Sequence, residues 1–189
     1  VLGLEVFEQL RDVAGGALVV GLIEPSTFHV HVEARQVDDT DAVYPLAVDP
    51  LIWVQQQKLL ASNGAAGDLF GNAVALAGDT AVIGAFNDDQ QAQNAGAAYV
   101  FVRQGGVWTQ EAKLVAQDAA ADAHFGQAVA ISGTTVLVGA FNDDDKGAGS
   151  GSAYVFVRQG NVWTQQAKLV AMDGVAYDSF DMAVSLVGD

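Results

Sequence analysis

Short runs of branched and aromatic residues, broken by turns rich in Gly, Asn and Asp, dominate the chain from residue 53 onward. The run Ala73-Val74-Ala75-Leu76 alternates small with branched side chains, as a strand with two unlike faces does. Its counterpart is Ala128-Val129-Ala130-Ile131. Around the latter the pattern predicts four strands. Ala128 to Ile131 and Val136 to Ala140 flank a Ser-Gly-Thr turn, and a polar loop from Asn142 to Ser152 follows. Ala153 to Arg158 and Val162 to Val170 then flank Gln159-Gly160-Asn161. Short Gly-containing connections between apolar runs are hairpin signals, so each group of four reads as two consecutive hairpins.

The pattern is periodic. Trp53, Trp108 and Trp163 are spaced by 55 residues, as are Lys58, Lys113 and Lys168. Residues 53–107 laid on 108–162 give 30 identities in 55 positions without a gap. A third copy starts at Trp163 and covers 27 residues, 14 of them identical to the second. A four-stranded antiparallel unit repeated at this spacing is the signature of a β-propeller blade, so the expected fold is all-β, a partial propeller. Gly84-Ala85 and Gly139-Ala140 are expected to let backbones approach closely. Phe70, Phe125 and the three tryptophans are expected to supply apolar area for blade-on-blade packing.

Composition narrows the function classes. The 189 residues are 51% hydrophobic yet hold 23 Asp+Glu against 8 Lys+Arg, a formal charge of −15. So apolar a chain is not a disordered acidic tail. Nucleic acid is excluded as an expected partner, since phosphate binding draws on the scarce basic residues. With no Cys there is neither a disulfide framework nor a thiolate metal site. The longest uncharged apolar run, Val13 to Ile23, has 11 residues, whereas a bilayer helix needs roughly 20. No membrane span is expected.

The order of elements resembles a known family, the FG-GAP repeat of integrin alpha chains and of many large secreted bacterial proteins. The residues that carry the resemblance are Phe70-Gly71, Ala73-Val74-Ala75, Ile83-Gly84-Ala85 and Tyr99-Val100-Phe101. In the next copy they are Phe125-Gly126, Ala128-Val129-Ala130, Val138-Gly139-Ala140 and Tyr154-Val155-Phe156. The segment Tyr44 to Ile52 also looks like the lead-in found before bacterial arrays of this kind. The resemblance implies a bacterial extracellular or cell-surface protein, with further propeller blades in the parent chain. It also implies a non-catalytic binding or adhesion scaffold for a protein or glycan, or else a structural spacer. A propeller enzyme is a third alternative, and two to three blades taken alone are expected to be marginally stable or to self-associate.

The chain departs from the family in three places. Phe86 and Phe141 stand where Gly-Ala-Pro would have Pro. Phe180-Asp181 replaces Phe-Gly in the third copy, which puts in question the Gly-favouring backbone there. The calcium loop between the first two strands of an integrin-type blade is missing, because Ala77-Gly78-Asp79-Thr80 and Ser132-Gly133-Thr134-Thr135 offer one carboxylate or none.

The acids sit instead in Asn87-Asp88-Asp89 and Asn142-Asp143-Asp144-Asp145, at one repeat position and therefore on one rim. Asp88, Asp89, Asp143, Asp144 and Asp145 are candidate ligands for a cation such as calcium. Their alternative role is a solvated acidic loop that maintains solubility. His29, His31 and Glu33 share one face if their segment is a strand, a weak zinc pattern without a third nitrogen or sulfur ligand nearby. His124 is Leu69 and Ser179 in the other copies, against a role common to the blades. No Gly-x-Ser-x-Gly elbow or phosphate loop occurs, so no enzyme activity is expected. Residues 1–52, with 9 acids and 2 bases, do not align with the repeats. They read as the end of a β-rich module preceding the blades of 53–189.

Overall fold

A computed structural model describes residues 4–8 and 54–188. The candidate residues Trp53, His29, His31 and Glu33 lie outside this set, as does most of the β-rich module expected before residue 53. Every regular element described is a β-strand. Strand β1 is Leu4–Glu8 and β2 is Val54–Leu59. Then follow β3 (Val74–Ala77), β4 (Thr80–Ala85), β5 (Ala97–Gln104) and β6 (Val107–Leu114). The last four are β7 (Phe125–Ser132), β8 (Thr135–Ala140), β9 (Ser152–Gln159) and β10 (Val162–Leu169). The chain divides into two compact units. Of the described residues, one holds 5–8 and 54–58, where β2 pairs with β1, and the other holds 59–188.

The larger unit holds two four-stranded antiparallel sheets, ordered β3-β4-β5-β6 and β7-β8-β9-β10. Each is a meander of two hairpins, as the alternation of apolar runs and Gly turns requires. Gly105 and Gly106, between Gln104 and its partner Val107, both have positive φ, as a type I′ turn demands. The sheets share one register irregularity. Glu111 is the extra residue between Gln110 and Ala112 in β6, and Gln166 is the extra residue at the same repeat position in β10.

The blade is thus offset from the sequence repeat. Trp108 opens the second repeat but lies in β6, the outer strand of the first blade, and Trp163 stands in β10 in the same way. Trp108 is buried and Trp163 partly so. Phe70 and Phe125 each pack edge-on against aromatics of their own blade. Phe70 lies 5.5 Å from Tyr99 and 6.2 Å from Phe101, and Phe125 lies 5.3 Å from Tyr154 and 5.9 Å from Phe156. The main core fills the space between the blades, with Val82, Val100 and Leu114 from the first meeting Phe125, Val136, Val138 and Tyr154 from the second.

Glycine makes that approach possible. A Cβ on Gly84 would stand 1.9 Å from the Gly126 carbonyl oxygen, and one on Gly96 would stand 2.1 Å from that of Phe125. Along this seam the segment entering β7 hydrogen-bonds the loop before β5. The N–H groups of Asp122, His124 and Phe125 donate to the carbonyls of Gln93, Asn94 and Ala95 at 2.7, 3.1 and 2.9 Å.

The third copy repeats this docking on the second blade. Tyr177, Ser179 and Phe180 donate to the carbonyls of Ala148, Gly149 and Ser150 at 2.7, 3.0 and 2.9 Å. The unusual dihedrals coincide: φ is +56, +58 and +49° at Leu69, His124 and Ser179, and +96, +95 and +84° at Gly71, Gly126 and Asp181. Replacing Gly by Asp181 therefore leaves the backbone unchanged, contrary to the sequence expectation. The surrounding hydrogen bonds impose a conformation that Asp tolerates better than most non-glycine residues.

Candidate functional site

Antiparallel strand order brings the β4–β5 loop (86–96), the β8–β9 loop (141–151) and the inter-blade segment 115–124 to one edge. The tight turns lie at the other. The acidic motifs fall on the loop edge, as their repeat position predicts, but their side chains diverge.

Asp88 points inward and is 1% exposed. Lys113 Nζ donates to both its oxygens at 2.8 and 2.7 Å, and the Gln90 N–H donates at 3.1 Å. The Tyr99 hydroxyl lies 2.7 Å from Asp88 Oδ2 and 3.1 Å from Asn63 Oδ1. A hydroxyl has one proton, and the carboxylate is the stronger acceptor. Turning the Asn63 amide would present its Nδ2, buried and otherwise unpartnered, as a donor to the Tyr99 oxygen. Burial first, and then the hydrogen bond to Asp88, push the Tyr99 phenol well above its ordinary range.

The second blade repeats the device with more charge. Asp143 accepts from Tyr154 Oη at 2.9 Å, Ser152 Oγ at 3.1 Å and Lys168 Nζ at 3.1 Å. Lys168 also reaches Asp118 at 2.6 Å and Asp145 at 2.7 Å. Three carboxylates thus converge on one ammonium. Burial alone would lower the Lys168 pKa, but hydrogen bonds to Asp118, Asp145, Tyr154 and Asp143 carry it far above the usual lysine range. Asp118 is drawn in the opposite direction: its partial burial raises it, and the bond and charge of Lys168 outweigh that and hold it below the usual carboxylate range.

Asp89 and Asp144 are exposed and brace their own loops, accepting from the N–H of Asn94 at 2.7 Å and of Gly149 at 2.8 Å. The five candidate aspartates therefore serve three different jobs. Among the described residues, no group of three or more acidic or histidine side chains is arranged to hold an ion.

Sequence reasoning passed over two features of this edge. Tyr99, Tyr154, Lys113 and Lys168 complete the acidic loops. Their common period of 55 was the visible signal, although nothing in it showed that the lysines of the outer strands meet these loops. His124, set aside because it does not recur, lies between the two phenylalanines that replace proline. Its ring is 5.5 Å from Phe86, edge-on, and 5.2 Å from Phe141, stacked within 7°. Its Nδ1 is 3.3 Å from the Phe86 carbonyl oxygen. All three rings are partly exposed, making an aromatic row across the seam. Polar groups flank the row. Asn94 Nδ2 donates to Asp122 Oδ1 at 2.7 Å, and Asn142 Nδ2 donates to the Asp122 carbonyl at 2.7 Å.

The family model of the FG-GAP repeat matches residues 53–101, 108–156 and 163–189. The chain belongs to the FG-GAP repeat family, and its two four-stranded sheets are β-propeller blades, a class of binding or structural domain. No curated protein matches it. Among the described residues, no helix is long and apolar enough to cross a membrane.

Proposed function

We propose that this chain is a non-catalytic, extracellular binding scaffold of bacterial type, whose ligand surface is the edge formed by the loops 86–96 and 141–151. The observation that carries this reading is the row Phe86, His124 and Phe141, partly exposed at the blade seam and bordered by Asn94, Asp122 and the exposed Asp89 and Asp144. Aromatic faces beside carboxylate and amide groups suit the C–H faces and hydroxyls of a glycan, or an apolar side chain of a protein with polar neighbours. The buried acids are matched by lysine and tyrosine, which fits a supporting rather than a reactive role.

The backbone ladder and glycine contacts of the seam would equally serve a spacer in a long extracellular chain. Glycan-array and protein pull-down screens with the chain, and with a Phe86→Ala, Phe141→Ala variant of unchanged melting temperature, separate the two. Saturable binding lost in the variant supports the scaffold. Absence of any specific ligand, or binding indifferent to both rings, would leave the spacer.

A further inference from the structure

The two inter-blade seams differ in one side chain. In the first, Gly126 lies across Gly84 with nothing beyond its backbone. In the second, Asp181 takes the same φ in the same place, and its carboxyl enters the seam. A Cβ on Gly139 would be 2.3 Å from Asp181 Oδ2, and one on Gly151 would be 3.0 Å from its Oδ1. Both oxygens are shut off from solvent, and neither has a hydrogen-bond partner. An anion there would be desolvated with little more than the nearby Ala140 N–H to offset it, at a far higher cost than burying the neutral acid.

We propose that Asp181 is a proton-operated latch: the third repeat docks on the second blade with this carboxyl protonated and loosens when it ionises. Burial, the largest influence, pushes its pKa up to about 8. The Ala140 N–H, near but outside hydrogen-bonding geometry, pulls it down, and the charge of Asp143 pushes it up. Asp143 is the charged group acting on it from the β8–β9 loop, and is itself held by Lys168. The loop's other acids turn away, Asp144 to the Gly149 N–H and Asp145 to Lys168, and Lys146 is exposed. On its own segment Asp178 accepts from the Val175 N–H.

The sign follows from linkage. Undocked, the carboxyl has an ordinary pKa of about 3.9, so the docked state binds the additional proton. Docking is strongest below about pH 4, weakens as pH rises and becomes constant above about pH 8. One proton limits the slope to about tenfold per pH unit.

The Phe180 N–H, which donates to the Ser150 carbonyl, reports docking, and the Phe125 N–H on Ala95 is its counterpart in the glycine seam. Hydrogen exchange of both amides, each relative to the unstructured rate at the same pH, should be followed from about pH 5.5 to 7.5 in the intact chain. Phe180 protection should fall by at least about tenfold and by no more than about a hundredfold, while that of Phe125 stays level. Asp181→Asn and Asp181→Gly should abolish the slope, and the glycine variant at pH 7.5 should match or exceed wild type at pH 5.5. A flat wild-type profile, or a slope surviving in either variant, would overturn the latch.

Discussion

A single methyl group separates two kinds of glycine in this chain. At Gly84 an added Cβ would meet the Gly126 carbonyl at 1.9 Å, backbone against backbone, with no side chain able to yield. At Gly71 it would meet nothing within 4 Å, and the difficulty is only its φ of +96°. Gly84→Ala should cost about 3 kcal/mol or more by forcing the blades apart. Gly71→Ala should cost about 1–2 kcal/mol, from backbone conformation alone. Urea denaturation of the pair checks this, and equal losses would refute the distinction. The Tyr99 hydroxyl supports a similar test. Tyr99→Phe removes a donor from the buried Asp88 while Lys113 remains, so a loss of about 1–3 kcal/mol is expected in the same measurement.

At the scale of the element, the bulge in β6 adds a polar clamp to the core and backbone ladder that join the blades. Glu111, displaced from the ladder, receives Arg158 Nη2 at 2.5 Å and Trp163 Nε1 at 2.9 Å from the second blade. Arg103, at the position equivalent to Arg158, pairs with Asp79 within its own blade, where the second blade has Thr134. Glu111→Ala should therefore weaken the coupling of the blades by about 1–3 kcal/mol. A denaturation transition that broadens or splits in the variant would show it, and an unaltered transition would assign the clamp no energetic part. The strands were legible in the sequence because small and branched residues alternate with Gly turns at a fixed period. The bulge was not, since Glu111 sits in an otherwise ordinary amphipathic run and a strand's register depends on its neighbour.

For the whole molecule, acid sensitivity follows from the charged clusters. Lys168 holds Asp118 below the usual carboxylate range, so the stability it supplies is present above about pH 4 and lost as pH falls further. Lys168→Met should lower stability at pH 7 by about 3 kcal/mol and flatten the acid limb below about pH 4. Melting curves across that range provide the check, and an unchanged acid limb would contradict the assignment. The blade architecture could be read from period and pattern, down to the glycines that let the sheets touch. The acidic loops could be located but not interpreted. Their meaning depends on Asp88 folding back onto a lysine 25 residues away and on Asp143 doing the same, contacts made by loop curvature rather than strand periodicity.

The offset of blade and repeat has a consequence for synthesis and for inheritance. The first blade cannot close its sheet until residues 107–114, which belong almost wholly to the following repeat, have left the ribosome. Each new repeat thus finishes its predecessor before starting its own blade, like a zip closed one tooth late. A duplication of one 55-residue unit in frame would insert a blade whose junctions are both of a kind already present, so the array can lengthen without inventing an interface.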